Sequence, residues 1–525
     1  MTGGWSIRWD DARAASAYAE GWWSHETCAD ALRRAAEETP QRLLLLDGTT
    51  PVSTGRLCAD ATSLAGALRA RFEPGSVITF MLPNWHEAAT IYFGATLAGM
   101  VAHPVLPSLR DHDLRFMLAD AGSRMIFVPQ HFRGHDYAAM LTRVVAGLES
   151  PPEVVVLRGD PGEHTAFPAL LARTDDADLP ALDPDDVRML MYTSGTTGRP
   201  KGVLHTHNSL HALIRQIGQH WRVAPGDRFL VPSPVSHIGG SIYAFEMPLL
   251  LGTTAVLMDS WSAAEAVPLM LAERITHMAG ATPFLQQLLV AARAAETRLS
   301  DLKVFICGGA SVPPALIRDA AAYFSRAEVT RVYGSTEVPV TTVGSFGPGE
   351  QDNAADTDGR PGIAEVILAP DGEICARGPQ MLAGYLHPED EDSAFDPEGF
   401  YRSGDQGAFV EGDHLVVTGR IKDLIIRNGE NIAPKEIEDL LADLPAIAEI
   451  AIVGVPDPRT GERAVAVIVP RGGASPDVAE LAQCLARHGV AKFKYPEVVE
   501  LWDALPRNDA GKVLKAEIRK RLTAD

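Results

Sequence analysis

Short, fully apolar runs recur along this chain, separated by longer segments in which apolar side chains return every third or fourth position. A run apolar on both sides suits a strand covered on both faces. The wider spacing suits a helix with one buried stripe. On that pattern Cys28–Glu38 and residues 57–71 are helices, and residues 76–82 form a strand. Residues 85–100 form an apolar helix rich in small residues, closing at Gly99 before a turn at His103-Pro104. Further strands are expected at 124–128, 154–157 and 187–192, with an acidic, Pro-, Gly- and Ala-rich surface excursion over 158–186. The run from Ile238 to Met258 carries only Glu246 as a charge. Gly239, Gly240, Pro248 and Gly252 interrupt it, so it reads as a buried helix, a turn and a strand rather than a membrane span. Near the end, strands over 450–455 and 464–469 and a helix over 478–488 outline a separate small α+β module. Strands alternating with helices predict an α/β protein with mostly parallel sheets and helices on both faces.

Composition narrows this picture. A chain of 525 residues exceeds one compact core, so at least two domains are expected. Forty-seven basic against 68 acidic side chains leave a net charge of −21, which disfavours nucleic acid or an anionic membrane as partner. Any phosphate group must be gripped by local donors against that overall field. The five cysteines are scattered and include no Cys-x-x-Cys pair, which points to free thiols in a reducing cytoplasm. Arg8, Asp10, Asp11 and Arg13 interrupt any apolar leader, so no signal peptide is expected.

The strand at 187–192 runs into Thr193-Ser194-Gly195-Thr196-Thr197-Gly198-Arg199-Pro200-Lys201-Gly202. Glycines let backbone N–H groups close on an anion, four hydroxyls add donors, and Lys201 adds a mobile positive charge. A polyphosphate is the expected ligand, although no Gly-Lys-Ser/Thr follows at P-loop spacing. In Val332-Tyr333-Gly334-Ser335-Thr336-Glu337, Tyr333 offers an aromatic face for a base. Thr336 offers a donor for a phosphate, and Glu337 a hard oxygen for Mg2+. Val304-Phe305-Ile306-Cys307-Gly308-Gly309-Ala310 is a strand whose glycine end lets the backbone approach a flat ligand. His237, ahead of Ile238-Gly239-Gly240, is on its chemistry alone a capped core histidine. Asn428-Gly429 is a hairpin turn, and Pro434 opens a helix with Glu436 and Glu438 in its first turn.

Together with Gly399 to Asp405, Gly419 to Glu438 and Leu505 to Lys515, these stretches resemble, in order, the motifs of the adenylate-forming (ANL) superfamily. The acyl-CoA synthetase branch fits best. Gly21-Trp22-Trp23 and His237-Ile238-Gly239-Gly240 look most like cyclohexanecarboxylate and medium-chain acyl-CoA ligases. The resemblance implies a large N-terminal domain, 1–421, and a small mobile C-terminal domain, 422–525, hinged at Lys422. It implies that Thr193, Ser194, Gly195, Thr196, Thr197, Gly198, Lys201, Gly309, Ala310, Tyr333, Gly334, Thr336, Asp405, Arg420 and Lys512 handle ATP and AMP. Mg2+ would sit on Glu337, and Lys512 rather than Lys515 would be the catalytic lysine, acting with Thr336, Glu337 and His237. His237 would gate an acyl pocket walled by Ile238, Gly239, Gly240, Gly308, Gly309 and Gly334, and Gly429, Glu430 and Asn431 would line a CoA tunnel. The absence of Asp between His237 and Asp259 argues against an α-amino acid, whose ammonium needs a counter-charge. Glycines near the pocket suggest a cyclic or bulky acid. ATP and CoA are then substrates, a carrier-protein pantetheine is an alternative acceptor, and a non-catalytic acyl-adenylate binder is the remaining rival. A homodimer is compatible with this resemblance.

Overall fold

The computed structural model describes residues 5–172, 178–193, 199–309, 312–428, 430–508 and 511–524. Two large sheets form the N-terminal body. One has the order Glu328–Val332, Val304–Gly308, His277–Gly280, Arg228–Val231, Thr254–Leu257, Leu43–Asp47, Thr50–Ser53. All neighbours in it run parallel except the final hairpin. The other is centred on Val187–Thr193, Val101–Pro104, Val77–Phe80 and Ser123–Pro129, with Lys201–Thr206 and the short Gly384–Tyr385 at one edge. Its apolar strands are buried on both faces, as their continuous hydrophobicity requires. The helix His86–Leu97 is apolar around its whole circumference and lies in the core between layers. A four-stranded antiparallel sheet, Glu365–Leu368 to His414–Arg420, follows.

Two expectations are corrected. His103 and Pro104 are not a turn but the end of the buried strand Val101–Pro104, paired in parallel with Val77–Phe80. Proline is tolerated there because it closes the strand and need not donate further along the ladder. The 158–186 excursion also contributes structure. Thr165–Ala166 adds an edge strand to Glu153–Leu157, and the helix Phe167–Leu171 buries Phe167 and Leu170.

After the 3-10 turn Ile421–Asp423, the C-terminal module builds its own sheet from Glu430–Ile432, Ile425–Arg427, Gly461–Pro470, Ile447–Asp457 and Val498–Leu501. The helices Pro434–Leu441 and Val478–Arg487 cover one face through Ile437, Leu441, Leu481 and Leu485. Lys515–Ala524 covers the other through Ile518. Among the described residues no helix is long and apolar enough to cross a membrane, and the helix–turn–strand reading of 238–258 matches Ile238–Ala244, Glu246–Leu250 and Thr254–Leu257.

Candidate active site

The site forms where parallel strands of the first sheet end. Val304–Gly308 and Glu328–Val332 run side by side, and a Cβ on Gly308 would lie 2.8 Å from the Val332 carbonyl oxygen. The chain after Val332 folds back on itself. A Cβ on Gly334 would lie 2.6 Å from Val340 N, and Val340 takes a left-handed φ of 48°. A β-branched residue in that region is strained and persists only where its surroundings hold it. Gln216, fully buried, does so by donating to the Val340 carbonyl at 2.9 Å and accepting from Ile363 N at 2.6 Å.

This folded-back loop carries Tyr333, Thr336 and Glu337 into one cluster. The Tyr333 hydroxyl donates to Asp405 Oδ2 at 2.8 Å, and Arg420 Nε donates to Asp405 Oδ1 at 2.8 Å. Asp405 and Arg420 face each other across adjacent antiparallel strands, which fixes that pair. Glu337 is buried, and its Oε1 accepts from the Thr193 hydroxyl at 3.3 Å and from Tyr385 at 3.2 Å. Both donors are neutral hydroxyls, so neither brings a cation against the carboxylate. A buried, hard carboxylate oxygen of this kind fits Mg2+ shared with phosphate oxygens. His205 Nε2 pairs with the Thr336 carbonyl at 2.8 Å, and burial holds its pKa down at about 4. The imidazole is therefore neutral, with the Nε2 proton donated to that carbonyl.

Lys512 reaches this cluster from the C-terminal module. Its loop is a tight turn in which Lys512 N donates to Asn508 Oδ1 at 2.8 Å and Arg507 donates to the Gly511 carbonyl at 2.6 Å. A Cβ on Gly511 would lie 3.3 Å from Pro283, so the turn rests on the N-terminal body. Burial lowers the Lys512 ammonium to about 8. The Arg420 charge acts in the same direction, opposed by Asp405, Asp423 and Glu337. Lys515 instead pairs with Glu438 at 2.6 Å. Lys201 is less mobile than its sequence context suggests. It is buried, lies 3.5 Å from Asp390 Oδ1, and sits over the Tyr385 ring.

His237 caps the start of Ile238–Ala244 without a side-chain capping bond. Its Nε2 is buried with no hydrogen-bond partner, and burial lowers its pKa to about 4. Ile238 packs into the same core as Val332 and Val340. Of the glycines expected to open an acyl pocket, Gly240, Gly308 and Gly334 have backbone where a Cβ would go, with Pro234 O only 2.0 Å from the Gly240 position. A Cβ on Gly309 would meet open space, and one on Gly239 only the Tyr243 ring at 3.9 Å. Glu430 and Asn431 are exposed on their hairpin, and Lys422 is exposed in its turn. Ser194, Gly195, Thr196, Thr197, Gly198, Ala310 and Gly429 lie outside the described residues.

Two residues carry no sequence signal for this site: Tyr385, which touches Glu337 from a segment without a recognisable spacing, and Tyr401, within Gly399 to Asp405, whose hydroxyl also interacts with Glu337. Asp120 carries none either; it accepts from Tyr192 at 2.7 Å and from Arg199 at 3.3 Å, tying both stems of the hydroxyl-rich stretch.

Comparison with known proteins places the chain in a family. Residues 32–386 match the AMP-binding enzyme family and residues 436–512 its C-terminal domain. The chain is 31% identical to a medium-chain fatty-acid–CoA ligase of Escherichia coli (strain K12), covering 99% of this chain and 95% of that one. It is 30% identical to a fatty acid–[acyl-carrier-protein] ligase of Streptomyces coeruleorubidus, covering 94% and 95%. Its fold superposes on ATP-bound MatB from Rhodopseudomonas palustris with a TM-score of 0.82 and 27% identity, covering 94% and 98%. The chain belongs to the AMP-binding enzyme family, within the acyl-CoA synthetase branch of the adenylate-forming superfamily.

Proposed function

We propose that this enzyme is an ATP-dependent acid–CoA ligase that makes an acyl adenylate and then an acyl thioester, in the cytoplasm, where its five free cysteines suit a reducing environment. The observation that carries the reading is the convergence of Lys512 with Arg420, Asp405 and Glu337. A carboxylate resists nucleophiles because of its charge. An oxygen of the acid attacks the α-phosphorus of ATP, the bond to the β-phosphate oxygen breaks, and pyrophosphate leaves. Negative charge grows on the α-phosphate oxygens in that step, and stabilising it is the protein's main task. Lys512 supplies a cation and Thr336 a donor there. Asp405 receives the ribose hydroxyls, and Tyr333 offers its ring to the adenine. Mg2+ held by Glu337 would neutralise phosphate charge. The unpartnered Nε2 of the neutral His237 is suited to hydrogen-bonding the acid, with the uncrowded backbone at Gly239 and Gly309 leaving room for a ring or bulky chain.

A lysine placed to neutralise α-phosphate charge stands beside the carbon that a thiol must reach, so one arrangement serves both half-reactions poorly. The second step therefore requires the 422–525 module to turn about Lys422, withdrawing Lys512 and bringing the Glu430–Ile432 hairpin inward. The CoA sulfur then bonds to the acyl carbon and AMP departs. A screen of carboxylic acids for ATP- and CoA-dependent AMP release tests the reading. AMP with matching thioester is expected for at least one acid, and ADP production or no release with any acid would contradict it. The similarity to a carrier-protein ligase favours one second reading, a carrier pantetheine as acceptor. Comparing free CoA with a phosphopantetheinylated carrier protein separates the two.

A further inference from the structure

Tyr385 ends the short edge strand Gly384–Tyr385, beside Lys201–Thr206, and is buried. Its hydroxyl donates to the Glu337 oxygen that also receives Thr193. Its ring lies 5.1 Å from Lys201 Nζ. A carboxylate oxygen can only accept from a phenol, so the direction of donation between Tyr385 and Glu337 is fixed. Core packing alone would be served as well by Phe, whereas a buried hydroxyl must find a partner. A glutamate that must present one geometry to a cation loses side-chain freedom on binding unless it is already held. An arginine or lysine could hold it too, but would cancel the charge the cation needs. The Thr193 and Tyr385 hydroxyls hold it without setting a cation against it.

We propose that Tyr385 is a positioning residue for the adenylation half-reaction, fixing Glu337 in the orientation that presents its carboxylate to Mg2+ on the ATP phosphates. This rests on the reading of Glu337 as the metal ligand. The same segment makes parallel ties. His387 pairs with Asp120 at 2.9 Å, Asp120 holds Tyr192 and Arg199, and Asp390 holds Lys201. The stretch from Gly384 to Asp390 thus backs the nucleotide side of the site from behind.

The test compares wild type, Tyr385→Phe and Glu337→Gln in three assays. These are acid-dependent pyrophosphate–ATP exchange, thioester formation from supplied acyl adenylate, and calorimetric ATP affinity with and without Mg2+. Tyr385→Phe keeps the ring and removes only the hydroxyl. Its exchange is expected to fall roughly tenfold, the size of one hydrogen bond to a charged group, while thioester formation stays within about twofold. Its gain in ATP affinity from Mg2+ should shrink toward that of Glu337→Gln. Wild-type exchange and wild-type Mg2+ gain in Tyr385→Phe, with both lost in Glu337→Gln, would overturn the role of Tyr385 alone. An equal fall of both half-reactions in Tyr385→Phe would also overturn it. Full exchange and Mg2+ gain in Glu337→Gln would remove the metal reading beneath it, and the proposal with it.

Discussion

At the scale of residues, the sharpest distinction lies between two lysines close together in sequence. Lys515 is committed to Glu438, whereas Lys512 sits among Arg420, Asp405 and Glu337 with its pKa lowered to about 8. The charged form is the useful one in adenylation. With a folded-state value near 8, kcat/KM for ATP in that half-reaction should fall as pH rises through about 8, since kcat/KM reports free-enzyme ionisations. His205 and His237, both held at about 4, stay neutral across that range and add no limb of their own. Lys512→Arg keeps a permanent charge, so any residual exchange activity should lose this alkaline limb, which a pH–rate profile reads directly. Cys307 offers the opposite case. It is fully buried and burial pushes its thiol to about 12, so it is no nucleophile. Cys307→Ala should leave turnover within about twofold and cost about 1 kcal/mol in urea unfolding.

At the scale of elements, glycines that look alike in sequence separate by what surrounds them. Gly240→Ala must force a Cβ against Pro234 O and should cost about 1–3 kcal/mol or more. Gly239→Ala meets only Tyr243 at 3.9 Å, so its Tm should be nearly unchanged while its preference among acids shifts. If Gly239→Ala left the acid profile untouched, that face would not border the acyl pocket. These cases mark what was legible from sequence. Elements with clear periodicity, such as Cys28–Glu38 and Val187–Thr193, and motifs of tight local spacing, such as Tyr333 to Glu337, could be read in advance. The strand at His103-Pro104 could not, because a proline that closes a strand has the same local signature as one that starts a turn. Whether a glycine widens a pocket or admits backbone depends on what lies across from it. Tyr385 reaches Glu337 through sheet pairing, not spacing, and no local pattern announces that contact.

At the scale of the whole molecule, the two regions divide the chemistry. The N-terminal body holds Thr193, Tyr333, Glu337, Asp405 and Arg420 together by itself, and the C-terminal module contributes Lys512 through a turn resting near Pro283 and Ala281. Gly511 has a φ of 80° and little room toward Pro283. Gly511→Val should therefore dislodge that turn and lower adenylation by about tenfold or more, given a penalty of at least 1–2 kcal/mol for a left-handed β-branched residue. Thioester formation from supplied acyl adenylate, which needs the turn withdrawn, should be spared. The most direct measurement sets wild type beside Lys512→Ala, with acid-dependent pyrophosphate–ATP exchange in one assay and thioester formation from synthetic acyl adenylate and CoA in the other. The expected result is exchange lost by roughly a hundredfold or more in Lys512→Ala with thioester formation retained. Equal loss of both half-reactions, or no exchange by the wild type with any acid, would contradict it.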